Sequence, residues 1–212
     1  AIGPLTTAQA TALTTASINA LTSAQIAAIE TADLAAMSST QLSNMGNTQV
    51  AQLTSLQVAA LTTGQLKSLS SGQVAALTSA QLNALTSAQL PSLSSSQVRA
   101  LTTDQLSKLT TTQVAGLSTA QVAALSTGQV AALTSVQLNA MASDDLKALT
   151  TTQVRALTSD QLSKLSSDQV ALMATDDIAA ISSAQISHLS TGAIGALTTA
   201  QAKALTTAAI NA

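Results

Sequence analysis

The stretch LSTAQVAALSTGQVAA, residues 117–132, is one eight-residue unit written twice with a single change at its fourth place. Extending outward from Leu117 in both directions, blocks of eight continue without insertion or deletion from Leu5 to Ala212. That gives 26 octads with the consensus L-[ST]-[ST]-x-Q-[VLI]-x-A, preceded by a short lead-in, residues 1–4. Periodicity of this kind decides the fold before any single residue does. Position 1 is Leu in 20 octads and Ile or Met in the other six; position 6 is Val, Leu or Ile in 24, with Ala10 and Ala202 as exceptions. These two positions are the candidate core.

A continuous straight helix cannot bury them together, because eight residues advance about 800°, which spreads the apolar positions around the whole circumference. In a continuous strand positions 1 and 6 fall on opposite faces. Ala and Gln are also poor strand formers, although the Thr and Val content keeps a β-solenoid as the minority reading. The third possibility is one very short helix per octad, and the residue chemistry favours it. Ser or Thr at position 2 followed three residues later by Gln is a capping box, in which each side chain satisfies an orphan backbone N–H of the first turn. Position 1 then becomes N′ and position 6 becomes N4, the pair that forms a hydrophobic staple.

Charge placement tests this register independently. All nine acids, Glu30, Asp33, Asp104, Asp144, Asp145, Asp160, Asp168, Asp176 and Asp177, occupy positions 2 to 5. All seven bases, Lys67, Arg99, Lys108, Lys147, Arg155, Lys164 and Lys203, occupy positions 7 or 8. Acids at the start and bases at the end of an octad complement helix dipoles of octad length. Where position 2 is Ala142 or Ala174, the following Asp144-Asp145 and Asp176-Asp177 are expected to replace the lost cap, with Ser143 or Thr175 as a shifted one. Pro91 at position 7 predicts a shortened or bent octad at 85–92.

Two large aliphatics per octad offer roughly 3–6 kcal/mol of burial, against about 1–2 kcal/mol of backbone entropy for each of eight residues. An octad must therefore be stabilised by stacking on others. The fold class that follows is an all-α solenoid, with one capped helix per octad and residues 5–212 forming a single array. Position 7, including Asn19, Ser43, Lys67, Asn83 and Arg99, should face solvent, and Ala at position 8 should allow close approach. Two, three or four octads per coil would give a hairpin ladder, a triangular tube or a square one. A 56-residue duplication is visible, LTTDQLSK at 101–108 against LTSDQLSK at 157–164. Neither the first nor the last octads turn polar, so the array is expected to continue, in a longer chain or by end-to-end self-association.

Composition excludes several functions. The chain has no Phe, Tyr, Trp or Cys, one His and a net charge of −2. Nucleic-acid binding by clustered Lys and Arg with stacking aromatics is not expected, nor are disulfides or thiolate metal sites. No run of apolar residues is long enough to insert into a membrane. No catalytic, cofactor-binding or metal-binding residue is assigned. His188 is the single imidazole among many hydroxyls and reads as a solvent-facing group at a helix end rather than a catalytic base. The Asp144-Asp145 and Asp176-Asp177 pairs read as capping groups before they read as a hard-cation site. Gly64, Gly72, Gly128 and Gly192 all fall at position 4 and form no phosphate-binding motif.

The consensus, as read in residues 117–132, resembles the octad arrays of very large secreted repeat proteins and surface adhesins of Gram-negative bacteria. The resemblance covers residues 5–212 and implies secretion to the cell surface and a role as stalk, fibre or sheath; it transfers no active-site residue. The expected function is a non-catalytic structural repeat, a segment or subunit of an extracellular filament. The alternatives are an ice-binding solenoid using its Ser/Thr arrays, and a helical-repeat protein-binding module. Free exchange of Ser and Thr at positions 2 and 3 argues against the first. The absence of aromatic or Arg-rich variation at position 7 argues against the second.

Overall fold

Octads 1 to 25 each form one helical element in the computed structural model, which describes residues 5–205. There are 24 α-helices and one 3-10 turn, with no strand among the described residues. The chain is an all-α solenoid, and the β alternative is set aside. The lead-in 1–4 and octad 205–212 beyond its first residue lie outside the described residues. The chain divides into two compact units, one ending at Leu109 and the other starting at Thr110.

The helices run four to six residues, as in Ser183–Ile186 and Ser71–Ala76. Each stops because positions 1 and 2 of the next octad are both extended. Leu61 has φ −61° and ψ 138°, and Thr62 has φ −70° and ψ 157°. The last turn tightens before this corner, with the Leu61 N–H bonded to the Val58 carbonyl at 3.2 Å, an i→i−3 bond. Two extended residues turn the corner without a left-handed residue, and none occurs among the described residues. This is why the chain needs no glycine at its helix ends.

Pro91 acts as its ring dictates. Without an N–H it cannot bond the carbonyl of Ser87, and octad 85–92 contains the 3-10 turn Leu90–Ser92 in place of an α-helix. Thr86 still caps that octad, accepting the Gln89 N–H at 3.3 Å.

Position 6 fills the interior up to octad 181–188, while Ile194 and Ala202 in the next two octads are exposed. Val58, Leu66, Val74, Leu82, Val98 and Leu106 in the first unit, and Val122, Val130, Leu138 and Leu162 in the second, have no exposed surface, while position 1 is buried slightly less deeply. Position 7 is exposed or half-buried throughout the described residues, Asn19, Lys67, Asn83 and Arg99 being exposed and Ser43 half-buried.

Within each unit, helices three octads apart pack together, for instance Ser39–Ser43 with Thr63–Ser68 and Ser135–Ala140 with Ser159–Lys164. Side-chain contacts between coils then fix the phase. Gln65 reaches carbonyls 28 to 31 residues earlier, while the Thr7 hydroxyl meets Asp33, 26 residues later. Helix packing therefore repeats every three octads, the three-per-coil arrangement, and the glutamine reaches a little further back, to the corner that precedes the helix on which its own helix packs.

Candidate functional site

The chemistry of this chain is concentrated at position 5. In Thr62–Ser68 the Gln65 Oε1 accepts the Thr62 N–H at 2.8 Å, and the Thr62 Oγ1 accepts the Gln65 N–H at 3.2 Å, which completes the capping box. The same reciprocal pair closes helix starts from Thr6 to Thr198. Position-2 hydroxyls are consequently engaged with backbone rather than held free in a surface array.

The other end of the amide does something the box does not require. Gln65 Nε2 donates to the carbonyls of Leu34 at 3.0 Å, Ala35 at 3.1 Å and Met37 at 2.8 Å. These belong to the last turn and the corner of a helix in the coil below, the carbonyls that a helix end leaves unsatisfied. Gln73 repeats the arrangement on Leu42, Ser43 and Met45. Gln153 does so on Val122, Ala123 and Leu125, and Gln201 on Val170, Ala171 and Met173. One side chain thus caps its own helix N-terminus and the C-terminus of another, and it does so almost without solvent: Gln73 is 1% exposed and Gln65 3%. These bonds form a glutamine ladder between coils in which every rung is a double cap.

A family model for the ALTTAQ repeat matches residues 26–63, 58–87, 82–111, 106–135, 138–175 and 170–207. The chain belongs to the ALTTAQ repeat family. No curated protein matches it. The family string itself stands at residues 196–201, running from position 8 of one octad through position 5 of the next, so the ALTTAQ repeat spans the corner, the cap and the ladder glutamine together. Successive matches begin 32, 24, 24, 32 and 32 residues apart, that is, four or three octads.

In three ALTTAQ octads the ladder position is Asp instead of Gln. Asp33, Asp145 and Asp177 are buried, at 3%, 6% and 4% exposure. In each case position 2 lacks a hydroxyl, being Glu30, Ala142 or Ala174, and no side chain caps the helix there. The expected shift of the cap to Ser143 or Thr175 does not occur. Ala142 and Ala174 remain the N-caps, with extended backbones, and Ser143 and Thr175 are the first helical residues. Shifting the cap by one residue would move position 6 off the core, so packing overrides the lost hydrogen bond. The carboxylate supplies half of the box instead, Asp145 accepting the Ala142 N–H.

Replacing a donor by a carboxylate has consequences beneath it. Asp33 Oδ1 accepts from Thr7 Oγ1 at 2.6 Å, but its Oδ2 is buried without a partner. Burial pushes the Asp145 carboxyl above its ordinary range, the neighbouring Asp144 pushes it further, and the Ala142 N–H opposes both. Burial likewise raises Asp177, against the hydroxyl of Thr151, with Asp176 adding to the rise. Thr7 and Thr151 hold position 3 three octads before their Asp, a pairing that only the coil geometry reveals.

The Asp pairs do not act as pairs. Asp144 and Asp176 are exposed while Asp145 and Asp177 are buried, and Asp144 meets Lys147 at 3.3 Å. No group of three potential metal-ligating side chains occurs among the described residues. His188 is exposed just beyond the helix Ser183–Ile186, its N–H bonded to the Gln185 carbonyl. No helix among the described residues is long and apolar enough to cross a membrane.

Proposed function

We propose that this repeat array is a structural spacer, an extensible segment of an extracellular bacterial filament or adhesin stalk, with no catalytic role. The double-capping glutamine carries this reading. Because Nε2 of one octad fits carbonyls that every other octad also offers, each coil is at once the template and the lid of another, and the number of coils is not bounded by geometry. The buried polar groups serve stacking, and side-chain variation at the exposed positions supplies no aromatic residue and only two separate arginines, Arg99 and Arg155, rather than a cluster of the anchors that dominate protein recognition. Self-association or continuation of the array, and a location at the cell surface, follow from the same reading.

The test is to lengthen the chain by a further six octads and measure the maximum dimension by small-angle X-ray scattering, alongside negative-stain images of native material. Two added coils should extend the particle by roughly 16–20 Å at the usual interhelical spacing, and native material should show thin fibres. A longer chain that compacts into a wider particle of unchanged length would overturn the proposal.

A further inference from the structure

Two octads of the second unit open with the same four residues and then diverge, LSTGQVAA at 125–132 and LSTGAIGA at 189–196. In the first, Gln129 Oε1 accepts the Ser126 N–H at 2.8 Å and completes the capping box, the helix Thr127–Ala132 runs six residues, and Val130 has no exposed surface. In the second, Ala193 stands at the ladder position. Alanine has no oxygen for the Ser190 N–H and no amide to donate to the coil beneath. Only the Ser190 hydroxyl caps the helix, accepting the Ala193 N–H at 3.1 Å. That helix is the five residues Thr191–Gly195, with glycine at both 192 and 195, and Ile194 at position 6 is 41% exposed. The coil has settled into the gap: Ala193 is fully buried, and a Cβ on Gly192 would meet Ser167 Oγ at 3.1 Å. Packing on Ser167–Leu172 is what holds this helix down.

The octads on either side are tied. Gln185 donates to the carbonyls of Val154, Arg155 and Leu157 at 3.0–3.3 Å, and Gln201 to those of Val170, Ala171 and Met173 at 2.9–3.3 Å. The missing rung therefore lies between two complete ones.

We propose that octad 189–196 is a joint of the second unit that opens alone while its neighbours stay docked, and that it is the point at which a peptidase selective for small aliphatic side chains enters the array. Relative to 125–132 it lacks the box bond, the rung and the helix propensity of an alanine at 195, each worth about fivefold in an opening equilibrium, so it opens about a hundredfold more readily. Alanine recurs along the whole array, so side-chain preference alone selects no site for such an enzyme; a locally opened stretch does.

Hydrogen–deuterium exchange on the intact chain tests the joint, and limited digestion with elastase, whose specificity pocket is small, tests the entry point. The hydrogen-bonded amides of Ile194 and Leu197 should exchange about a hundredfold faster than their counterparts Val130 and Leu133, and protection should recover at Ala202, whose N–H bonds the Thr198 carbonyl. The first cut among residues 5–205 should fall within 189–196. Ala193→Gln with Ile194→Val and Gly195→Ala rewrites the octad as LSTGQVAA, a sequence the unit already folds, and should remove both the fast exchange and the first cut. Gln129→Ala with Val130→Ile and Ala131→Gly should carry both to 125–132. Exchange at Ile194 as slow as at Val130, or at Ala202 as fast as at Ile194, which is fraying and not a joint, would overturn the proposal. So would a rewritten octad that is still cut first.

Discussion

Gln161 isolates what the double cap contributes. It is 2% exposed; its Oε1 accepts the Thr158 N–H at 2.8 Å and its Nε2 donates to the carbonyls of Val130 at 2.8 Å and Leu133 at 2.7 Å. Gln161→Glu keeps the length of the side chain and the acceptor of the capping box while replacing the donor with an oxygen. The Val130 carbonyl retains the Leu133 N–H at 3.2 Å, so the penalty falls mainly on the Leu133 carbonyl. Two lost bonds at about 1 kcal/mol each, with one buried acceptor stranded at about 1–3 kcal/mol, predict a loss of roughly 3–5 kcal/mol at pH 7. At pH 4 the protonated carboxyl regains one donor and about 1 kcal/mol of that loss. With no aromatic residue in the chain, urea unfolding is followed by far-UV circular dichroism. A Gln161→Glu chain within about 0.5 kcal/mol of wild type at pH 7, or one losing as much at pH 4 as at pH 7, would refute the role given to Nε2.

The remaining predictions concern packing and backbone. Leu138→Ala, at a fully buried position 6, should cost about 2–5 kcal/mol through the cavity it leaves, whereas Leu56→Ala, at a position 4 that is 76% exposed, should change stability by less than about 0.5 kcal/mol; similar losses from both, measured by the same urea titration, would contradict the assigned core. Gly128 lies inside the helix Thr127–Ala132, and a Cβ there meets nothing within 4 Å. Gly128→Ala should therefore stabilise by about 0.4–1 kcal/mol and raise the thermal midpoint, and a lowered midpoint would show that the site is tighter than the structure indicates.

Much of this fold is legible in the residues. The box and the staple are local, so the octad helix, its start and its buried face follow from the spacing of Thr, Gln and Leu alone. Pro91 announces its own 3-10 turn because proline's effect requires no partner. What the octad cannot disclose is which distant octad it meets. The Thr7–Asp33 bond, the Nε2 acceptors and the fate of Ala142 all depend on the coil period, and no sequence-local rule carries that number. One signal was nevertheless present. A capping box accepts Glu as readily as Gln, yet position 5 holds Gln in 20 octads and Glu in none. The box alone does not account for that bias; a required donor does.

The same requirement explains how the coils are tied. Helices three octads apart pack on one another, yet the amide at position 5 does not meet the glutamine of the helix on which it lies. It slants back to the corner that precedes that helix, where the carbonyls of positions 6, 7 and 1 converge, and one side chain then satisfies the start of its own helix and the end of another. Because every octad has the same corner, the bond asks for the octad register and not for a particular place around the coil. The duplication that joins 101–108 to 157–164 is seven octads long, one octad more than two coils. A block of that size advances the chain by one helix around the coil but keeps the octad register, so every glutamine it brings arrives above carbonyls already waiting for it.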